Sequence, residues 1–185
     1  MRFIRRHLPH PDSVRSHKYL AWCGDWLKHP NLWALNRDSV AGGFAIGLAA
    51  GLVPGPLQML SAALLAIPLK RNLPVAVATT LYTNPLTIGP LYVLAYGYGR
   101  LLLGASGNAA AVEPFDWNWS DWLGSAEALL HWTISLGKPL AIGLPALALT
   151  LAAVGYFAVQ IAWRAYVVLA WRSRRHRRKR TRPRT

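Results

Sequence analysis

The chain has 185 residues, 53 % of them hydrophobic and only 15 % charged, yet it carries a formal net charge of +14 from 21 Lys+Arg against 7 Asp+Glu. So little charge over one domain's length leaves too little polar surface for an ordinary soluble bundle. Three stretches carry no charge at all, Ser39–Leu69 (31 residues), Asn72–Gly99 (28) and Pro139–Trp163 (25), and each is long enough to meet a ~30 Å hydrocarbon core fully.

We therefore read the chain as an all-α membrane protein: a small helical bundle with a re-entrant or short helical hairpin, a proline-broken spanning helix, an interfacial helix and a final spanning helix. The basic residues support this by position. Seven precede Ser39, two sit at Lys70 and Arg71, and ten lie between Arg164 and Arg184, leaving only Arg100 and Lys138 around an acidic connection. That asymmetry has the positive-inside form and predicts both termini on the cytoplasmic side of the membrane.

Residues 1–38 read as a basic, aromatic arm. Tyr19, Trp22, Trp26 and Leu27 recur at helical spacing, which suits a short helix in the headgroup region with Lys stems snorkelling; a loop packed on the remainder is the plainer alternative. Arg5-Arg6 is followed by His7-Leu8-Pro9-His10-Pro11 where a secretory signal needs an apolar core, so no cleaved leader is expected. The lone Cys23 reads as a plain thiol.

The membrane domain is placed at 39–171. Its first run repeats Gly43, Gly47 and Gly51 on one helix face, a small-residue surface that lets another helix approach closely. Pro54, Gly55 and Pro56 then break the helix, because each proline lacks an N–H and fixes φ. The arms Val40–Val53 and Leu57–Leu69 are each only about 20 Å long. As one broken span they would put Lys70-Arg71 and the basic tail outside and invert the charge rule. A hairpin over 39–69 places 19 of the 21 basic residues inside. Two short tilted spans give the same sidedness.

The segment 72–99 is read as a broken span. Asn72-Leu73-Pro74 and Asn84-Pro85 both have the form of an N-cap followed by proline in the first turn. The first ten residues cover about 15 Å, so the interruption at Pro85, Gly89 and Pro90 falls near a bilayer midplane. Backbone freed there needs partners from the protein, and Gln58, Thr79, Thr80, Tyr82, Thr83, Asn84 and Thr87 are at hand. Among these, Gln58, Tyr82, Asn84 and Thr87 form the candidate midplane polar site. Tyr92, Tyr96 and Tyr98 are expected to approach the opposite interface.

An outer connection, 100–138, follows. Trp119, Trp122, Leu123, Ala126, Leu129, Leu130, Thr133 and Ile134 share a face that fits an interfacial helix. The final span, 139–171, contains Pro145 as an expected kink. The polybasic tail, 172–185, is expected to be irregular until it meets a polyanion. Arg172, Arg174, Arg175, Arg177, Arg178, Lys179 and Arg180 are its anionic-lipid contacts, each contributing about 1 kcal/mol near an anionic leaflet. Phospholipid is thus the expected partner in preference to nucleic acid.

The stretches GGFAIGLAAGLVPGPLQM and KRNLPVAVATTLYTNPLTIGPLYVLAYGYG, with the closing apolar helix and its arginine-rich end, resemble a bacterial integral-membrane family catalogued as domain of unknown function 2062. The resemblance covers about Asp38 to Arg175. Asn84–Thr87 and Arg71–Pro74 are its most specific parts. It implies a small inner-membrane protein, with some similar domains attached to glycosyltransferase-like modules, and so an association with envelope glycan or lipid work. It implies no activity.

No catalytic constellation is visible. The six histidines and Cys23 have no zinc or redox spacing, so no metal or cofactor is expected. Ser61 has no base nearby and sits in no nucleophile elbow. No ionisable side chain lies within the uncharged runs, which weighs against a proton-driven antiporter. The reading is therefore a non-enzymatic accessory or scaffold protein in envelope processes, with an envelope-biosynthesis partner or a second copy as candidate protein contact. The alternative is a small transporter or lipid-handling protein, because paired broken helices are also how transporters build a midplane site.

Overall fold

Asparagine begins three of the helices in the computed structural model, which describes residues 29–55, 57–104, 115, 117–118 and 120–180, the last nine by their backbone alone. Asn36 starts α1 (Arg37–Ala50) by accepting from Ser39 N at 2.7 Å. Asn72 starts α3 (Leu73–Thr79) by accepting from Val75 N at 2.9 Å. Asn84 starts α4 (Pro85–Leu102). In each case a short amide takes up the N–H groups that a helix start leaves without intrahelical partners.

The remaining helices are α2 (Leu57–Ala66), α5 (Trp122–Ser135) and α6 (Gly137–Arg180), so the described residues form six α-helices and no strand. A 3₁₀ turn, Thr80–Tyr82, extends α3. The link between α1 and α2 turns at Gly55, whose φ of +71° is one that a side chain would disfavour. Pro54 lies in this link, and Pro56 lies outside the described residues.

From that link α2 carries the chain back to where α1 began. It closes with a Schellman pattern, Arg71 N donating to Ala66 O and Lys70 N to Ile67 O, with Lys70 at a φ of 53° in the place glycine usually takes. Arg71 Nη1 then donates to Asp38 O at 3.0 Å, and Asn72 N to Ser39 O at 3.1 Å. Segment 39–69 is thus a hairpin whose two ends lie side by side.

Next, α3 runs parallel to α1. Gly43 faces the Asn72 carbonyl, Gly47 the Ala76 carbonyl and Thr79, and Gly51 the Tyr82 ring. A Cβ at any of the three would collide with these atoms, so the glycine register sets how closely the two helices approach. Their core is built from Ala50, Ala62, Ala66 and Ala76, side chains small enough to let three backbones converge.

Both α1 and α4 pack on α6, each antiparallel to it. Gly99 and Gly143 meet across α4 and α6, against the carbonyls of Pro139 and Ala95 respectively. Farther along α6, Gly155 lies against Phe44 and Leu48, and Gln160 Nε2 donates to the Asp38 carboxylate at 2.8 Å. Hence α4 covers the first part of α6 and α1 the second, the end of α1 meeting the start of α4.

Two expectations are corrected, the break at Gly89 and Pro90 and the irregular tail. Gly89 and Pro90 do not break the chain: α4 runs through both. Pro90 deprives only the Leu86 carbonyl of an intrahelical donor, and the helix continues because the turns on either side keep their bonds. Tyr92 is 0 % exposed, in a cluster with Ile88, Ala95, Leu129 and Leu140. The apolar residues of α5 divide between inward and outward positions. Leu129 packs inward beside Trp132, whereas Leu123 and Ile134 are 85 % and 72 % exposed. Last, α6 continues through Arg180 where an irregular tail was expected, since adding a residue to an existing helix needs no new nucleus. Pro145 lies inside the same helix. The arm residues Tyr19, Trp22, Cys23, Trp26 and Leu27, as well as Trp119, lie outside the described residues.

Candidate functional site

Where α1 stops, its last carbonyls need donors from elsewhere, because a helix end leaves about four without partners. Those from Gly47 to Leu52 can be followed one by one. Gly51 N donates to Gly47 O, Leu52 N to Ala49 O and Val53 N to Ala50 O. The Tyr82 hydroxyl donates to Leu48 O at 2.7 Å. The Thr83 hydroxyl lies 2.6 Å from Gly51 O. The Tyr92 hydroxyl donates to Leu52 O at 2.9 Å. Three hydroxyls from the α3–α4 segment therefore face three carbonyls of the first break.

The second break is closed locally. Asn84 Oδ1 accepts from Leu86 N at 2.9 Å and Thr87 N at 3.1 Å, while Asn84 N donates to Thr87 Oγ1 at 2.9 Å. This is a reciprocal capping box with Thr in the place where Glu or Gln is more usual. Thr87 Oγ1 is also 2.8 Å from Tyr82 O, which ties the box to the turn before it.

Of the four candidate residues, Tyr82 and Thr87 are thus joined through the Tyr82 backbone. Asn84 is exposed and engaged in its cap. Gln58 meets neither Asn84 nor Thr87; its Oε1 lies 2.5 Å from Thr83 Oγ1. Residue pattern alone did not single out Thr83 and Tyr92 as site members. One signal for Tyr92 was present: a tyrosine placed in an apolar helix must bring its hydroxyl to an acceptor.

A second polar cluster joins the open end of the hairpin to α6. The Asp38 carboxylate accepts from Gln160 and from Arg37 Nε, the latter at 3.3 Å. The Gln160 hydrogen bond, with the Arg37 charge beside it, holds the Asp38 carboxyl below its usual range. Asn72, 1 % exposed, completes this end by donating its side-chain amide to Ala34 O at 3.0 Å. The basic residues from Arg172 to Arg180 lie along the last turns of α6 by backbone position.

Together these features define a class: a small all-helical domain whose interrupted helices are closed by side chains from neighbouring segments. The chain belongs to the bacterial family described as an uncharacterized protein conserved in bacteria (DUF2062), whose model matches residues 20–172. Comparison with curated proteins and with solved structures found no match.

Proposed function

We propose that the chain is a multi-pass protein of the bacterial inner membrane, non-enzymatic, serving as an accessory or scaffold in envelope processes. The observation that carries the reading is α6. Its stretch Gly137–Trp171 is long and apolar enough to cross a membrane, and only 11 % of its most apolar window is buried. The core helix of a soluble protein would be mostly buried.

Other helices add to the same surface. Leu64, Leu86, Leu94, Leu149, Phe157 and Ile161 are each more than half exposed. Apolar side chains exposed on several helices are what a lipid-facing domain presents. Between its contacts at Pro139 and Gln160, α6 is about 31 Å long, close to the ~30 Å of a hydrocarbon core. Charged residues flank that stretch, Arg100 and Lys138 at one end and Asp38 and Arg71 at the other, and the runs between them carry none.

In this reading the hairpin end and both termini face the cytoplasm, with anionic phospholipid against Lys70, Arg71 and the basic end of α6. The polar groups at the breaks serve the framework, because most are engaged with backbone. The test is a deletion strain assayed for envelope permeability and complemented by variants. A scaffold is complemented by Gln58→Ala and Asn84→Ala wherever these accumulate as folded protein. Loss of complementation by folded variants would favour the transporter alternative. Recovery of the chain in the alkaline-soluble fraction would end the membrane reading.

A further inference from the structure

The apolar length of α6 outruns the helices beside it. Gln160 meets Asp38 in the first turn of α1, so Ile161–Trp171 runs on past the start of that helix. These residues carry one charge, Arg164, and are otherwise Ala, Ile, Leu, Val, Trp and Tyr. Ile161, Leu169 and Trp171 are 68 %, 63 % and 73 % exposed. The stretch rises about 16 Å, whereas the headgroup layer beyond the hydrocarbon core is only about 5–7 Å thick on each side. On the membrane reading, from which this level is taken, lipid covers the foot of the extension and leaves its upper part, through Trp171, in water. An apolar surface in that position is a docking site.

The chain enters the bundle at this same end. Leu32 is fully buried, and Asn31 O accepts from Ser39 Oγ at 2.5 Å, one residue from Asp38. Residues 1–28, outside the described residues, are therefore tethered near the foot of the extension. Within them Tyr19–Leu27 matches the extension in kind, since it is apolar and aromatic with a single charge, Asp25. That acid and Arg164 are opposite in sign, and Arg164 has no ion pair among the described residues. The family match, residues 20–172, begins inside the first of these segments and ends just beyond the second, so both belong to the shared domain.

We propose that Tyr19–Leu27 docks as an antiparallel helix on the Gln160 side of the α6 extension, with Asp25 against Arg164. Positions 163, 164, 167 and 171 share that side of α6 with Gln160 by helical spacing. Setting Trp26 level with Trp163 brings Asp25 level with Arg164, Trp22 with Val167, and Tyr19 with Ala170, whose small side chain leaves room for the ring. The short tether holds the arm at a high effective concentration, which neither a second copy nor a separate partner has. The docked arm fixes the direction in which α6 leaves the bundle.

The test keeps the full chain in native membranes and scores only membrane-retained protein, so that a failed dock is distinct from a failed membrane reading. Native Cys23 is paired with Val167→Cys, or with Ala162→Cys on the far side of α6, under copper–phenanthroline oxidation. A maleimide mass tag then counts the remaining thiols. The proposal expects an intrachain disulfide, monomeric and closed to the tag, with position 167 and not with 162. In a chain with Cys23 alone, Arg164→Glu should speed the maleimide reaction of Cys23 roughly three- to fivefold, and adding Asp25→Arg should restore the slow rate. A disulfide-linked dimer through position 167 overturns the proposal in favour of a second copy. Two free thiols in the 167 chain, or equal closure at 162 and 167, place the arm elsewhere and overturn it too. So does a Cys23 rate that Arg164→Glu leaves unchanged, and that measurement decides alone should Val167→Cys fail to accumulate.

Discussion

Removing one oxygen from Tyr92 isolates the hydroxyl-to-carbonyl closure of the first break. In Tyr92→Phe the ring keeps its place in the cluster, stacked 6.3 Å from Trp132, and only the bond to Leu52 O is lost. The residue is fully buried, so water does not readily replace the lost partner. Leaving a buried carbonyl without its donor costs about 1–3 kcal/mol, whereas hydrogen bonds between membrane helices average about 0.6 and reach about 1.7. We take about 1–2 kcal/mol, a fall of roughly 5–30-fold in the folded-to-unfolded ratio. Reversible unfolding in mixed detergent micelles, followed by tryptophan fluorescence, measures it. Tyr96→Phe is the control, since the Tyr96 hydroxyl makes no hydrogen bond among the described residues, and it should change stability by no more than about 0.5 kcal/mol. A Tyr92→Phe variant as stable as wild type would refute the claim that the hydroxyl holds the Leu52 carbonyl.

Three further outcomes follow from packing and charge. Gly99→Ala and Gly143→Ala each drive a Cβ into an opposing backbone carbonyl and should destabilise by about 1–3 kcal/mol. Because they share one contact, the double variant should cost less than the sum of the two in the same unfolding assay. Pro90→Ala returns an N–H to the interior of α4 for the Leu86 carbonyl and should raise stability by about 1–3 kcal/mol; a loss would mean that the proline is required for the helix path. The Asp38 carboxyl, held below its ordinary value of 3.8, contributes stability that is present above that value and lost as pH falls through its lower folded value. Melting of the wild type should therefore drop on acidification below about pH 4, and Asp38→Asn should flatten that drop; an unchanged slope would remove the contribution.

Local chemistry was the legible part of this fold. Asn72 and Asn84 announce helix starts because asparagine followed closely by proline suits a cap and a first turn and little else. The glycine repeat at 43, 47 and 51 announces a close helix contact, though not which helix makes it. The hairpin reading of 39–69 came from the placement of basic residues, and the side-by-side ends at Asp38 and Arg71 have that form. What stayed hidden was long-range. Tyr82, Thr83 and Tyr92 reach carbonyls 32 to 40 positions away, and no local period records such a partner. Pro90 misled for a related reason. A proline removes one donor wherever it sits, but whether a helix ends there depends on the packing of its flanks. For α5, spacing showed which residues share faces without showing which of them Tyr92 and Leu140 would cover.

The central claim is a membrane domain in which the hairpin end and the tail lie on one side and the α5 region on the other. In a chain whose Cys23 has been replaced by serine, single cysteines at Lys70→Cys and Lys138→Cys are treated with a membrane-impermeant maleimide in intact cells and in opened vesicles. The account predicts that position 138 labels in intact cells and that position 70 labels only once the vesicles are opened. Labelling of both positions in intact cells, or of position 70 alone, would contradict it.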